Sequence, residues 1–109
     1  MKDAILLGCI GSLQTAVFHV VACTDEHPVD KFVTLADKPI ELSSVQGVVL
    51  NGQPHFHIVM SDLQQTYTGH LEEGCVVLYL AEITLLEVKN LNLYRKKNEA
   101  GIGLITAIE

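Results

Sequence analysis

Apolar and polar residues alternate along much of the chain, and a period of two predicts strands rather than helices. Thr15 to Cys23 (TAVFHVVAC) is a short β-branched and aromatic run, closed by a turn-like stretch from Thr24 to Asp30 that contains Pro28. Ile40 to Leu50 predicts a second strand, ended by Asn51-Gly52. Both residues of an Asn-Gly pair accept positive φ, so the pair predicts a tight hairpin with Pro54 to Ser61 (PHFHIVMS) as the return strand. Thr68 to Gly74 reads as a connection rich in glycine and acid. Cys75 to Val88 (CVVLYLAEITLLEV) is then the longest regular element, and it is mainly apolar on both faces. A strand with one solvated face would not be. One face is expected to pack on a small core while the other meets a second subunit.

Helical signals are few, and Ile5 to Gly11 is too short to assign. The pattern therefore predicts an α+β fold, mainly antiparallel sheet with few helices, that needs an oligomer to cover its apolar surface. There are no repeats and no linker. With 109 residues, residues 1–109 are expected to form a single domain around one core. No stretch reaches the roughly 18 uninterrupted apolar residues of a membrane span, and the N-terminus lacks the features of a signal peptide.

Charge changes the picture more than composition does. Seven Lys and Arg face thirteen Asp and Glu, a formal net charge of −6. A negative balance argues against a nucleic-acid surface, which needs clustered cations. Residues 39 to 88 hold no Lys or Arg, yet carry Glu41, Asp62, Glu72, Glu73, Glu82 and Glu87; the rest of the chain cancels. The three cysteines, Cys9, Cys23 and Cys75, are odd in number and have no C-x-x-C spacing. They read as reduced thiols of a cytoplasmic protein, without a disulfide framework or a thiolate zinc site.

Three of the five histidines fall within the acidic block: His55, His57 and His70. On a strand, His55 and His57 share one face about 7 Å apart, and His70 follows a glycine that permits a bend. Three imidazoles with an open fourth position suit an accessible zinc-type site, with nearby carboxylates orienting the ligands. An H-x-H pair arises by chance about 0.2 times in such a chain, so a pair of imidazoles on a wet strand face is the plain alternative. His19 reads as a core or interface histidine and His27 as a loop residue. Glu82 interrupts an apolar strand; it either faces solvent at an edge or sits in a pocket that supplies its partner. Arg95-Lys96-Lys97 reads as a solvated strand end or turn. No nucleophile elbow, Walker sequence or dinucleotide fingerprint occurs, so no catalytic residue is assigned.

The ordered series Gly11-Ser12-Leu13, Glu41 through Gly47, Pro54-His55-Phe56-His57, Gly69-His70-Leu71 with Glu72-Glu73-Gly74, and a long strand containing Ala81-Glu82-Ile83 resembles the plants and prokaryotes conserved (PPC) domain. The likeness runs from about Leu6 to Val88. It implies an α+β fold with a major antiparallel sheet, a homotrimer, and, as in some prokaryotic members, a zinc-type metal on residues matching His55, His57 and His70. Glu41 matches the glutamate that opens the family's glutamate-to-glycine segment. Prokaryotic members are often labelled as predicted DNA-binding proteins. The chain departs from the family in having Thr68 where the first of two glycines precedes the histidine, in a short N-terminal part, and in lacking an AT-hook.

Three functions follow as expectations. The first is a trimeric binding module with a divalent metal, zinc-type, on His55, His57 and His70, backed by Glu41, Glu72 or Glu82. The second is a DNA-binding or DNA-associated regulator, with direct contact disfavoured by charge. The third is metal-assisted hydrolysis with Glu72 or Glu82 as base, although the chain reads as a binding protein more than as an enzyme.

Overall fold

A computed structural model describes residues 1–108. It contains eight strands: β1 (Ala4–Val21), β2 (Asp30–Leu35), β3 (Ile40–Leu50), β4 (Gln53–Ser61), β5 (Thr66–Leu71), β6 (Val76–Glu87), β7 (Leu93–Lys97) and β8 (Gly103–Ala107). The expected antiparallel sheet is present. The expected helices are not: among the described residues there is no helix, and the fold is all-β. The physical reason lies in the connections, which are short turns and hairpins that leave no 3.6-period apolar segment to pack on a sheet face. No helix of the described residues is long and apolar enough to cross a membrane.

The strand order is β2-β1-β3-β4-β5, with β6 on the free edge of β1 and β5 returning to pair with β1. The path β1–β3–β4–β5–β1 therefore closes on itself, and the apolar residues inside it form the core: Leu6, Cys9, Leu13, Ala16, Phe18, Ile40, Leu42, Val45, Ile58 and Met60. Closure depends on β1, whose 18 residues serve two edges. Ala4 to Leu13 lie against β3, and Ala16 to Val21 lie against β2. On the opposite edge β6 covers Ala4 to Thr15, and β5 takes over at Phe18 and His19.

The inward residues of β1 change phase twice, from Ala4 and Leu6 to Cys9 and Leu13, then to Ala16 and Phe18. Two bulges account for this. Between Leu6 and Gly8, and again between Leu13 and Thr15, β1 advances two residues while β6 advances one. Each extra residue flips the face that points inward and sharpens the bend. A third irregularity falls on β6 around Tyr79, which sits at φ 64° with the Leu78 carbonyl accepting from the Ser12 hydroxyl.

The Asn51-Gly52 hairpin is as expected, with φ of 51° and 76° joining Leu50 to Gln53. The stretch read as a connection from Thr68 is instead strand β5, and the connection begins only after Leu71. The turn between β4 and β5 is tied by Asp62, which accepts from the Gln64 and Gln65 amides and from Tyr67, and pairs with Lys38 at 2.6 Å. The Lys38 ammonium and these hydrogen bonds hold the Asp62 carboxyl well below the usual carboxylate range. Strands β7 and β8 form a separate hairpin.

Candidate metal centre

The histidines are brought together by register. His57 on β4 lies opposite His70 on β5, and His70 lies opposite His19 on β1. Three imidazoles thus form one rung across three adjacent strands, about 4.8 Å from one to the next. His55, two residues before His57, adds a fourth on the same face of β4. The ring centroids of His55, His57 and His70 are 4.8 to 5.5 Å apart, and His19 stacks on His70 at 4.3 Å and 19°. His55 Nε2 and His57 Nε2 approach to 3.3 Å.

Close approach of β5 to β1 depends on Gly69. A Cβ at this position would lie 2.7 Å from the His19 carbonyl oxygen and 2.8 Å from the Phe18 ring. Any side chain here would push His70 away from His19, so the glycine before His70 acts through space at the strand pairing. It is not needed for a bend.

Glu72 completes the cluster from the loop after β5. Its amide donates to the Val17 carbonyl, and its carbonyl accepts weakly from the Cys75 thiol, which also meets the Val17 backbone. The loop is thereby anchored to β1. His19 Nδ1 donates to Glu72 Oε1 at 2.6 Å, while His70 Nδ1 is 3.5 Å from the same oxygen. His70 Nδ1 is buried and has no hydrogen-bond partner. Asp30 Oδ2 lies 3.6 Å from the other nitrogen of His19. Burial first, and then the Arg95 charge, push the His55 imidazole below its ordinary pKa; burial and then His19 do the same to His70, against an opposing pull from Glu72. Both shifts favour neutral imidazoles, the form that ligates metals.

Of the expected site residues, the structure collects His55, His57, His70 and Glu72. Glu41 and Glu82 are elsewhere. Glu41 is exposed on β3 between Ser12 and Ser61, and Glu82 is exposed on β6 opposite Ile10. Neither lines the histidine cleft. The carboxylate in β6 needs no buried partner because the strand around it is uncovered in the chain. His19, assigned from sequence to the core or an interface, belongs to the cluster instead. The His19, His70 and Glu72 ligand atoms all lie within 4.8 Å of one another. No local spacing could reveal this, because about fifty residues separate His19 from its neighbours.

The cluster forms the floor of an open cleft of about 1100 Å³, and the β7–β8 hairpin supplies the facing wall through Arg95, Lys97 and Gly101 to Gly103. The basic cluster expected to be a solvated strand end is therefore divided by strand alternation. Arg95 and Lys97 face the cleft, and Lys96 lines a separate smaller one with Tyr94.

A closed antiparallel sheet with imidazoles on one rung is thus the frame of the site. The chain belongs to the Plants and Prokaryotes Conserved (PCC) domain family, whose model matches residues 1–89. Three solved structures share the fold. A plant- and prokaryote-conserved protein from Pyrococcus horikoshii superposes with a TM-score of 0.78, is 25% identical, and covers 100% of this chain and 76% of its own. A metal-containing protein from Archaeoglobus fulgidus gives 0.68 at 23% identity, over 97% of this chain and 74% of its own. A protein from Bacteroides thetaiotaomicron, provisionally called DNA-binding, gives 0.75 at 17% identity, over 97% and 74%. A bifunctional GlmU protein from Synechococcus is 26% identical over 92% of this chain, which spans only 15% of that relative's length.

Proposed function

We propose that this chain is a homotrimeric, cytoplasmic module that binds a divalent metal, zinc-type, through His55, His57 and His70, with Glu72 and His19 backing the ligands. The observation that carries the reading is the buried, unpartnered Nδ1 of His70, 3.5 Å from Glu72 Oε1, on a ring whose centroid lies 4.3 to 5.5 Å from those of His19, His55 and His57. A buried polar nitrogen normally has a partner. The donor set fits the group: neutral imidazoles suit zinc, and a carboxylate on an imidazole N–H fixes its orientation. A bound metal would supply Lewis acidity to a ligand in the cleft. Burial favours the neutral form of His55 and His70, and Glu72 accepts from His19 Nδ1.

Support for the trimer comes from β6, where Val76, Val77, Tyr79, Leu80, Ile83, Leu85 and Leu86 are all exposed in the single chain, and from the likeness described above. A cytoplasmic setting fits three free cysteines. Elemental analysis of purified protein tests the metal reading. About one metal per chain is expected in the wild type, with most of it lost in His70→Ala and His57→Ala. Loss in His19→Ala but not in His57→Ala would move the ligands to His19, His70 and Glu72. No metal in the wild type would overturn the reading.

The neighbour called DNA-binding motivates a second reading, association with DNA. It would need a route other than Arg95 and Lys97, which line the cleft. Retardation of duplex DNA in gel shifts at low salt is the observation that would favour it.

A further inference from the structure

The cleft carries groups of both charges. Its carboxylates, Asp30 and Glu72, both lie against His19, at 3.6 and 2.6 Å. Its cations, Arg95 and Lys97, come from the hairpin and line the same cleft, where the Arg95 charge is felt by the His55 imidazole. The carboxylates already have histidine beside them. The cations have no carboxylate beside them among the described residues. Among the described residues neither Arg95 nor Lys97 makes an ion pair within 4.0 Å. The one hydrogen bond of the guanidinium runs from Nη1 to the Gly103 carbonyl at 3.3 Å, and its Nε is buried without an acceptor.

A half-buried guanidinium that lines the cleft with the imidazoles, hydrogen-bonded among the described residues only through Nη1, carries more N–H groups than the protein satisfies. We propose that the cleft takes a small oxyanion, a carboxylate or phosphate group, held by Arg95 with Lys97 as a second positive charge, between the hairpin and His55. The guanidinium fork matches either group in a two-point contact. This goes beyond the metal reading, because the anion is bound by the hairpin and needs no metal, although a cation on the histidines would strengthen it. The cleft is open and far larger than one oxyanion, so the group is the anchoring end of a larger ligand.

Calorimetric titration of the full chain with inorganic phosphate and, separately, with acetate tests the proposal, in metal-free and zinc-loaded protein. Saturable binding of at least one probe is expected, weakened about tenfold or more in Arg95→Gln. Arg95→Lys, which keeps the charge and the packing stem, should fall between the two, and Lys97→Gln should weaken binding less. The relative strength of the two probes separates a phosphate ligand from a carboxylate. Arg95→Gln binding as tightly as wild type, or no binding of either probe by wild type in either metal state, overturns the proposal. Should Arg95→Gln misfold, the Lys and Lys97 variants and the wild-type titrations still decide. Zinc binding without anion binding defeats this inference alone, and anion binding without zinc defeats the metal reading alone.

Discussion

Strands β4 and β6 are both rich in apolar residues, and they end in opposite situations. In β4, Ile58 and Met60 point into the closed sheet and are 1% and 0% exposed, while His55 and His57 stand on other positions of the strand with Val59 left partly open. In β6 no residue is fully buried, and Tyr79 is 91% exposed. The contrast comes from position in the sheet. β4 is paired on both edges, by β3 and β5. Among the described residues β6 is paired only with β1. A strand inside the closed path can dedicate one face to the core and the other to chemistry. An edge strand with two apolar faces leaves them exposed in the single chain.

The sharpest break of this contrast is Met60→Ala. Truncating a fully buried side chain in the closed sheet should cost about 2–5 kcal/mol in urea denaturation. The matching change on β6, Ile83→Ala, removes a residue that is 61% exposed and should alter the stability of the isolated chain by no more than about 0.5 kcal/mol. If β6 is an assembly surface, Ile83→Asp should instead reduce the mass seen by light scattering from about three times 11.9 kDa toward 11.9 kDa. Equal losses of stability at Met60 and Ile83 in a monomer would erase the distinction.

Next in size is Gly69→Ala. The added Cβ meets the His19 carbonyl oxygen and the ring of the buried Phe18, so a cost of about 1–3 kcal/mol is expected. The pairing of His70 with His19 should loosen, visible as changed imidazole shifts in NMR.

The smallest effect is on pH dependence. His55 and His70 both have lowered pKa values in the folded chain, so below the ordinary histidine value of about 6.5 the unfolded chain binds more protons than the native one. Stability should therefore be fully present above that value and fall as pH drops through the window from about 6.5 down to the lowered folded values. Thermal melts of metal-free protein, started about one unit above the ordinary histidine value and taken stepwise to lower pH, should show this. His55→Gln should flatten the curve. A melting temperature that rises on acidification would contradict it.

How far the site was legible depended on sequence distance. His55 and His57 could be read as a pair because a strand places i and i+2 on one face. The hairpin at Asn51-Gly52 could be read because its backbone demands those residues. The N-terminal strand was hidden because its two bulges break the period of two, leaving Ala4 to Gln14 without a clear alternation. The central charge pattern pointed to a bound cation because residues 39 to 88 hold no Lys or Arg. In space that block is not free of positive charge, since the hairpin lays Arg95 and Lys97 over its histidines.

Local spacing and turn chemistry alone thus determined an antiparallel sheet, the β3–β4 hairpin, the H-x-H pair and an apolar strand in need of cover. Only the tertiary structure decided that β5 closes on β1, that His19 joins His70 and Glu72, and that Arg95 and His55 line one cleft. The physical reason is that strand pairing joins residues far apart in sequence. Its register is set by bulges and by a glycine whose absent side chain lets two backbones meet, and none of these leaves a periodic mark on the chain.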